Sequence, residues 1–311
     1  MKAPLLRGYF ELKRISRKKH LFYKFGFFAL LLSLAGLIYA NYDYMVFKLL
    51  IADNYIFTDA LDEWYEQSLG EGNFKGYHQD FDRAVIAAVT EKISSINKDR
   101  YTYLYTPAQY RLSRDVEKVD AAASKFEILS EKTIMVSLTN ISSGTKDFFL
   151  SCMDQNKGYE NLILDLRGNY GGLLADFYKI SEQFTKRGAI LGYEKTRIPF
   201  LTHAVKSKGK EELEYRKILI LQDENTASAA EGLILSLKGN LDNVTAIGEK
   251  TFGKGIGQVT LPLTGGYAVK ATVLLVSGPQ DNTIHGIGIE PDVYYAGDDI
   301  VNFALEMAEA G

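Results

Sequence analysis

Asn161-Leu-Ile-Leu-Asp-Leu-Arg-Gly-Asn-Tyr-Gly-Gly172 is the stretch that decides the fold class. Its first half, Asn161 to Leu166, is a short apolar run with the length of a buried strand, and its second half is a glycine-rich turn at the strand's end. Upstream, Thr133-Ile-Met-Val-Ser-Leu138 reads as a strand, followed by a polar turn around Ser142-Ser-Gly-Thr145 and a helix to about Cys152. Downstream, Leu173 to Phe184 reads as a helix, Lys217-Ile-Leu-Ile-Leu221 as a third strand and Ala227 to Leu237 as a helix. Val244-Thr-Ala-Ile247 follows as a strand, and Tyr267 to Val276 as one or two more. Strands alternating with helices predict an α/β core with crossover connections. Residues 188–216, dense in Lys206, Lys208, Lys210, Glu211, Glu212 and Glu214, read as a solvated connection with no motif that demands binding.

Residues 44–115 read as helical. Leu61, Trp64, Tyr65 and Leu69 suggest one apolar face, and Ala84-Val-Ile-Ala-Ala-Val89 with Ile93 and Ile96 a clearer one. Tyr101-Thr-Tyr-Leu-Tyr-Thr-Pro107 breaks that pattern, because Pro107 disfavours helical geometry just before it. A packed linker and a wall of a substrate channel fit this aromatic segment equally well.

Six basic residues, Lys13, Arg14, Arg17, Lys18, Lys19 and Lys24, precede an uncharged stretch from Phe25 to Tyr42. This asymmetry predicts a basic cytoplasmic segment over 1–24 and an inserted segment over 25–42. A retained anchor fits better than a cleaved signal, since the apolar run approaches the roughly 20 residues that span a bilayer and Ile38-Tyr-Ala40 is a poor cleavage site. A buried or surface-lying helix is the third reading. The expected organisation continues with a helical region over 43–125 and an α/β domain over 126–311, outside the cytoplasmic membrane and held by a single pass.

The chain has 311 residues, 46% of them hydrophobic, enough to bury one large core or two modest ones. A net charge of -3 gives no global positive field for nucleic acid. The single cysteine, Cys152, forms no intrachain disulfide and no metal cluster, and it reads as a half-buried structural thiol. Neither a cofactor nor a metal is called for.

Two further segments carry chemistry. Ser228, in Asn225-Thr-Ala-Ser-Ala-Ala-Glu231, falls between a strand and a helix, where first-turn N–H groups can receive a developing oxyanion. Taken alone, Ser228 with Glu231 is more simply a capping box. Lys254, in Thr251-Phe-Gly-Lys-Gly255, is framed by glycines and follows the apolar Phe252. An amine accepts a serine proton only if burial or positive charge lowers its pKa toward neutrality. No phosphate-binding loop surrounds it, because one glycine precedes the lysine and Gly255 stands where Ser or Thr would be required. An exposed loop lysine is the plain alternative. Gln258 can orient the lysine without the charge of a carboxylate, or can be an ordinary polar pair. The glycines after Leu166 can offer N–H groups to an oxyanion or simply make a tight turn, with Asp165 and Arg167 pairing to stiffen it. His285 reads as a surface or substrate-rim residue.

In order and wording these segments, together with Gly248-Glu-Lys-Thr-Phe-Gly-Lys-Gly255 and Gly286-Ile-Gly-Ile-Glu-Pro-Asp-Val293, resemble the C-terminal processing peptidases, or tail-specific proteases. The resemblance covers roughly 130–294 and extends weakly upstream. It implies a ClpP/crotonase-like α/β core, with Ser228 as nucleophile, Lys254 as general base and Gln258 as the residue that positions the lysine. It also implies an oxyanion hole from Gly171, Gly172 and Ala229, and a polypeptide substrate. Two departures stand out. Tyr170 occupies the place of the family's usual proline, and about 15 residues separate Arg111 from the region near Phe126, where many relatives carry a PDZ domain. PDZ domains capture peptide ends by strand addition. A catalytically silent or latent peptide-binding member, and an acyl-transfer enzyme acting on a non-protein substrate, are the rival readings. A homo-oligomer is compatible with the sequence.

Overall fold

The computed structural model describes residues 3–58, 83–119, 123–209 and 213–310. In chain order its helices begin with α1 (Ala3–Ala40), α2 (Tyr42–Phe47) and a π-helical turn (Lys48–Ala52), then α3 (Arg83–Asn97). Strand β1 (Tyr103–Tyr105) and α4 (Pro107–Val119) lead into β2 (Lys125–Ile128), β3 (Thr133–Ser137), α5 (Ser143–Gln155) and β4 (Asn161–Asp165). Next come α6 (Leu174–Ser181), β5 (Ile190–Thr196), β6 (His203–Lys206), β7 (Lys217–Gln222) and α7 (Ala229–Asn240). The chain ends with β8 (Val244–Gly248), β9 (Ile256–Pro262), β10 (Ala268–Ser277), β11 (Val293–Tyr294) and α8 (Ile300–Glu309).

Two sheets result. One has the order β11-β8-β7-β4-β3-β2, parallel throughout except where β2 pairs antiparallel with β3. The apolar run of β4 explains why this sheet is covered on both sides. Successive side chains point to opposite faces, so Leu162 and Leu164 pack toward α5, α6 and α7, where Phe149, Phe177 and Leu233 lie. Ile163 points the other way, into a second cluster with Leu219, Ile300 and Ala304 beneath α8. Each such side chain, once fully buried, contributes roughly 1.5–3 kcal/mol.

The second sheet is antiparallel, with the order β1-β10-β5-β6 and β9 paired along β10. Its core is a separate cluster in which Phe47, Ile51 and Tyr55 from the first helices and Ile86, Val89 and Ile93 of α3 pack on Leu263, Val269 and Ala271. Of the apolar face expected from Ala84 to Ile96, Ile86, Val89 and Ile93 are buried in this cluster, whereas Ile96 remains exposed. Leu61, Trp64, Tyr65 and Leu69 lie outside the described residues.

This second sheet corrects two expectations. Residues 188–216 are not merely a solvated connection, since β5 and β6 form a hairpin there and β5 pairs with β10. Nor does the expected ClpP/crotonase-like core form. The parallel strands make one open sheet covered on both faces, and the chain around Lys254 leaves it for an antiparallel sheet that also recruits β1 from the upstream region.

Over Phe22–Ala40, α1 is long and apolar enough to cross a membrane, and none of that stretch is buried. Immediately beyond it, Asp43 accepts hydrogen bonds from Thr264 N and Oγ1, both at 2.7 Å, at the turn between β9 and β10.

Candidate active site

Loops at the carboxyl ends of parallel strands gather where an α/β sheet ordinarily places its ligand. Three such loops converge here. The first follows β4 and is the glycine turn. Asn169, fully buried, organises it: its Nδ2 donates to Leu138 O at 2.8 Å, its Oδ1 accepts from Gly171 N at 2.9 Å, and its carbonyl accepts from Ala227 N at 2.9 Å. Asp165 and Arg167 form the expected pair at 2.7 Å. Asp223 accepts from Gly168 N, and Thr226 Oγ1 donates to Leu166 O, so this turn and the loop after β7 are stitched together.

Two glycines are required there. A Cβ on Gly171, at φ +94°, would meet Ala227 O at 2.6 Å and Ser228 Cβ at 2.7 Å; one on Gly172, at φ +151°, would meet Ile141 O at 1.9 Å. Of the three N–H groups expected to face an oxyanion, Gly171's is spent on Asn169. Those of Gly172 and Ala229 have no acceptor among the described residues.

Ser228 occupies the N-cap position of α7 with φ 57° and ψ -119°, a backbone conformation that non-glycine residues adopt only at a cost of about 1–3 kcal/mol. A tight strand-to-helix turn of this kind pushes the side chain out of the sheet's edge. Glu231 does reach back to the Ser228 N–H, at 2.8 Å, as a capping box requires. It does more than cap. Fully buried, the same carboxylate accepts from Thr251 Oγ1, from Gly253 N at 2.8 Å and from Lys254 N at 2.8 Å. Glu231 thus ties the loop of Ser228 to the loop of Lys254.

The third loop follows β8 and carries Lys254. It is backed by the segment 284–289, in which Gly286 N donates to Gly253 O at 2.9 Å and Ile289 N to Thr251 Oγ1 at 2.7 Å. Burial, reinforced by the charges of Lys270 and Arg100, brings the Lys254 ammonium down from its ordinary 10.5 to about 8; Glu231 and Asp99 oppose the shift without reversing it. Lys254 Nζ has no hydrogen-bond or ion-pair partner among the described residues, and lies over the Tyr101 ring, 4.8 Å from its centroid. Gln258, four residues on and within β9, donates from Nε2 to Tyr101 O at 2.8 Å and leaves its Oε1 as an acceptor.

His285 stacks on Phe57, with ring centroids 5.8 Å apart, and its Nδ1 is buried without a partner; burial holds its pKa below the ordinary value. Cys152 is half-buried, and burial raises its thiol pKa. Among the described residues no group of histidine, cysteine or carboxylates is arranged to hold a metal.

The model of peptidase family S41 matches residues 132–295, a little more than half of the chain. The chain belongs to peptidase family S41. It is 36% identical over 141 residues to a carboxyl-terminal-processing protease of Synechocystis, covering 44% of this chain and 31% of that one. It is 28% identical over 208 residues to carboxyl-terminal-processing peptidase 1, chloroplastic, of Arabidopsis thaliana, covering 64% and 39%. The chain spans about a third of the length of these curated relatives. Among solved structures, a lipoprotein from Streptococcus agalactiae superposes with a TM-score of 0.63 at 18% identity, over 87% of this chain and 95% of that one. The architecture is therefore the α/β fold of the S41 family and its structural neighbours, in place of the ClpP/crotonase-like core expected from sequence.

Four contributors to this candidate site are hard to read from the sequence. Asn169 and Asp223 are polar residues in turns whose bonds are made across the fold, so no local pattern marks them. Glu231 was visible, but only as a cap. Tyr101 was visible as an aromatic, with nothing in the sequence to join it to a lysine 153 positions away.

Proposed function

We propose that this chain is an extracytoplasmic serine endopeptidase that cleaves polypeptides with Ser228 as nucleophile and Lys254 as general base. Neutral Lys254 takes the Ser228 proton as the hydroxyl attacks a peptide carbonyl. The N–H groups of Gly172 and Ala229 receive the oxyanion, the latter at the N-terminus of α7 where the helix dipole adds to the hydrogen bond. Gly171 supplies clearance, since any side chain there would collide with Ser228. Lys254 then protonates the leaving amine, and water hydrolyses the acyl-enzyme.

The observation that carries this reading is the lysine itself. A half-buried amine near 8, without a carboxylate partner among the described residues and tied through Glu231 to the Ser228 N–H, is arranged to take up a proton rather than to pair with a charge. The segment Phe22–Ala40 supports a single-pass anchor, and the Asp43–Thr264 bonds support a catalytic domain standing directly on it. The test is incubation of the full chain in detergent with an unbiased peptide mixture beside Ser228→Ala. Fragments produced only by the wild type support the proposal; identical digests from both, or none from either across a broad pH range, reject it.

A further inference from the structure

We propose that the turn Asp99-Arg100-Tyr101-Thr102 is a positioning element of the active centre, with Tyr101 holding Lys254 against its ring face and Gln258 at its carbonyl. The turn lies upstream of residues 132–295, the segment matched by the family model, so the base is set in place by a part of the chain outside that segment. The inference rests on the peptidase reading for its catalytic consequence.

The turn is itself rigidly held. Asp99 is 3% exposed, and its carboxylate accepts from Tyr101 N at 3.0 Å, Thr102 Oγ1 at 2.6 Å and the Tyr55 hydroxyl at 3.1 Å. Burial and the Asp99 charge push the Tyr55 phenol well above its ordinary pKa, so it remains a donor. Thr102 Oγ1 in turn accepts from Thr272 N at 3.0 Å, which fixes the turn to β10. From this frame Tyr101 presents two surfaces. Its carbonyl takes the Gln258 amide, and its ring takes the Lys254 ammonium.

Lys254 needs such a hold. A lysine side chain has about 2 kcal/mol of rotamer freedom to lose, and no acceptor among the described residues confines this one. A ring face attracts an ammonium by about 0.5–2 kcal/mol without presenting the anion that would keep it charged. Arg100 completes the arrangement: its guanidinium lies 5.1 Å from the centroid of Tyr101 and 5.0 Å from that of Phe252, bridging the turn and the lysine's own loop. The charges that act on Lys254 are Arg100 and Asp99 from the turn, Lys270 from β10 and Glu231 from α7. A turn that merely packed would affect stability and leave the lysine's environment alone.

The experiment uses the full chain in detergent and compares Tyr101→Leu, Tyr101→Phe and Arg100→Gln with wild type. It follows kcat and KM on a peptide that the wild type cleaves, the melting temperature, and the NMR signal of the Lys254 ε-methylene. Tyr101→Leu should lower kcat about tenfold or more with KM within about twofold, the effect of losing an interaction that acts in the transition state. It should also abolish the upfield ring-current shift of the Lys254 signal. Tyr101→Phe should restore most of kcat and the full ring-current shift. Arg100→Gln should move the Lys254 titration upward, because a like charge has been removed. Wild-type kcat in Tyr101→Leu, or a Lys254 signal indifferent to both Leu and Phe, would overturn the proposal. So would a loss confined to melting temperature. Should the wild type show no Ser228-dependent cleavage, the peptidase reading fails, while the ring-current and titration arms still decide whether the turn positions Lys254.

Discussion

The proposed nucleophile, Ser228, and the proposed base, Lys254, sit in contrasting surroundings. Around Ser228 the turns are tied through Asn169, Asp223, Thr226 and Glu231 into a backbone network that holds a strained φ, with the N–H groups of Gly172 and Ala229 left open among the described residues. Around Lys254 Nζ there is instead a ring face, the cations Lys270 and Arg100 with the more weakly acting carboxylates Glu231 and Asp99, and no hydrogen-bond acceptor among the described residues. The difference suits the roles proposed for the two groups. A nucleophile needs a fixed direction, which hydrogen bonds supply; a base needs a lowered pKa, which hydrogen bonds to carboxylates would undo.

Removing either group should have the largest effect. Ser228→Ala and Lys254→Ala are each expected to cut kcat on the order of 10³-fold or more, in single-turnover assays on the same peptide. Equal, non-additive losses in the double variant would show that the two act as a unit.

Cutting the link between the regions comes next. Glu231→Ala leaves the N–H groups of Ser228, Gly253 and Lys254 and the Thr251 hydroxyl without their buried acceptor, and should cost about 3 kcal/mol in urea unfolding along with most of the activity. Glu231→Gln should not rescue it, since an amide places a donor where one of the carboxylate oxygens accepts.

The Lys254 region should gain stability from a change that removes the proposed base. Lys254 is at about 8 when folded and 10.5 when unfolded, so below pH 8 both states are protonated and the folded state bears the full cost of a desolvated ammonium. At about 1.36 kcal/mol per unit, Lys254→Met should stabilise the chain by up to about 3 kcal/mol at pH 7. Between pH 8 and 10.5 the unfolded state binds more protons, wild-type stability rises, and the gain should fade. Unfolding curves at pH 7 and pH 10 check this sign.

The smallest effect is expected far from both regions. Cys152→Ser, on the half-buried side of α5, should change stability by less than about 1 kcal/mol and leave peptide cleavage and its pH dependence unaltered.

The same contrast explains what could be read from the chain. β3, β4, β7 and β8 announce themselves as apolar runs because a parallel sheet is buried on both faces, and Ser228 follows one of them directly. The antiparallel sheet gives a weaker signal. β5 carries Glu194 and Lys195 and β6 ends in Lys206, so their composition resembles a charged connection, and β9 is half-exposed along much of its length. Lys254 could be nominated from its glycines and the family resemblance. Its surroundings could not, because Tyr101, Arg100 and Lys270 come from distant segments and meet only after β1 pairs with β10.

The central claim is that Ser228 is the nucleophile and that its reactivity follows the deprotonation of Lys254. Labelling of the full chain with a fluorophosphonate across pH 6–10, read as the mass of the Ser228 peptide, tests both halves at once. The account predicts modification at Ser228 with a rate that climbs through a midpoint near 8 and is lost in Lys254→Ala. Modification elsewhere, or a Ser228 rate indifferent to pH and to Lys254, would contradict it.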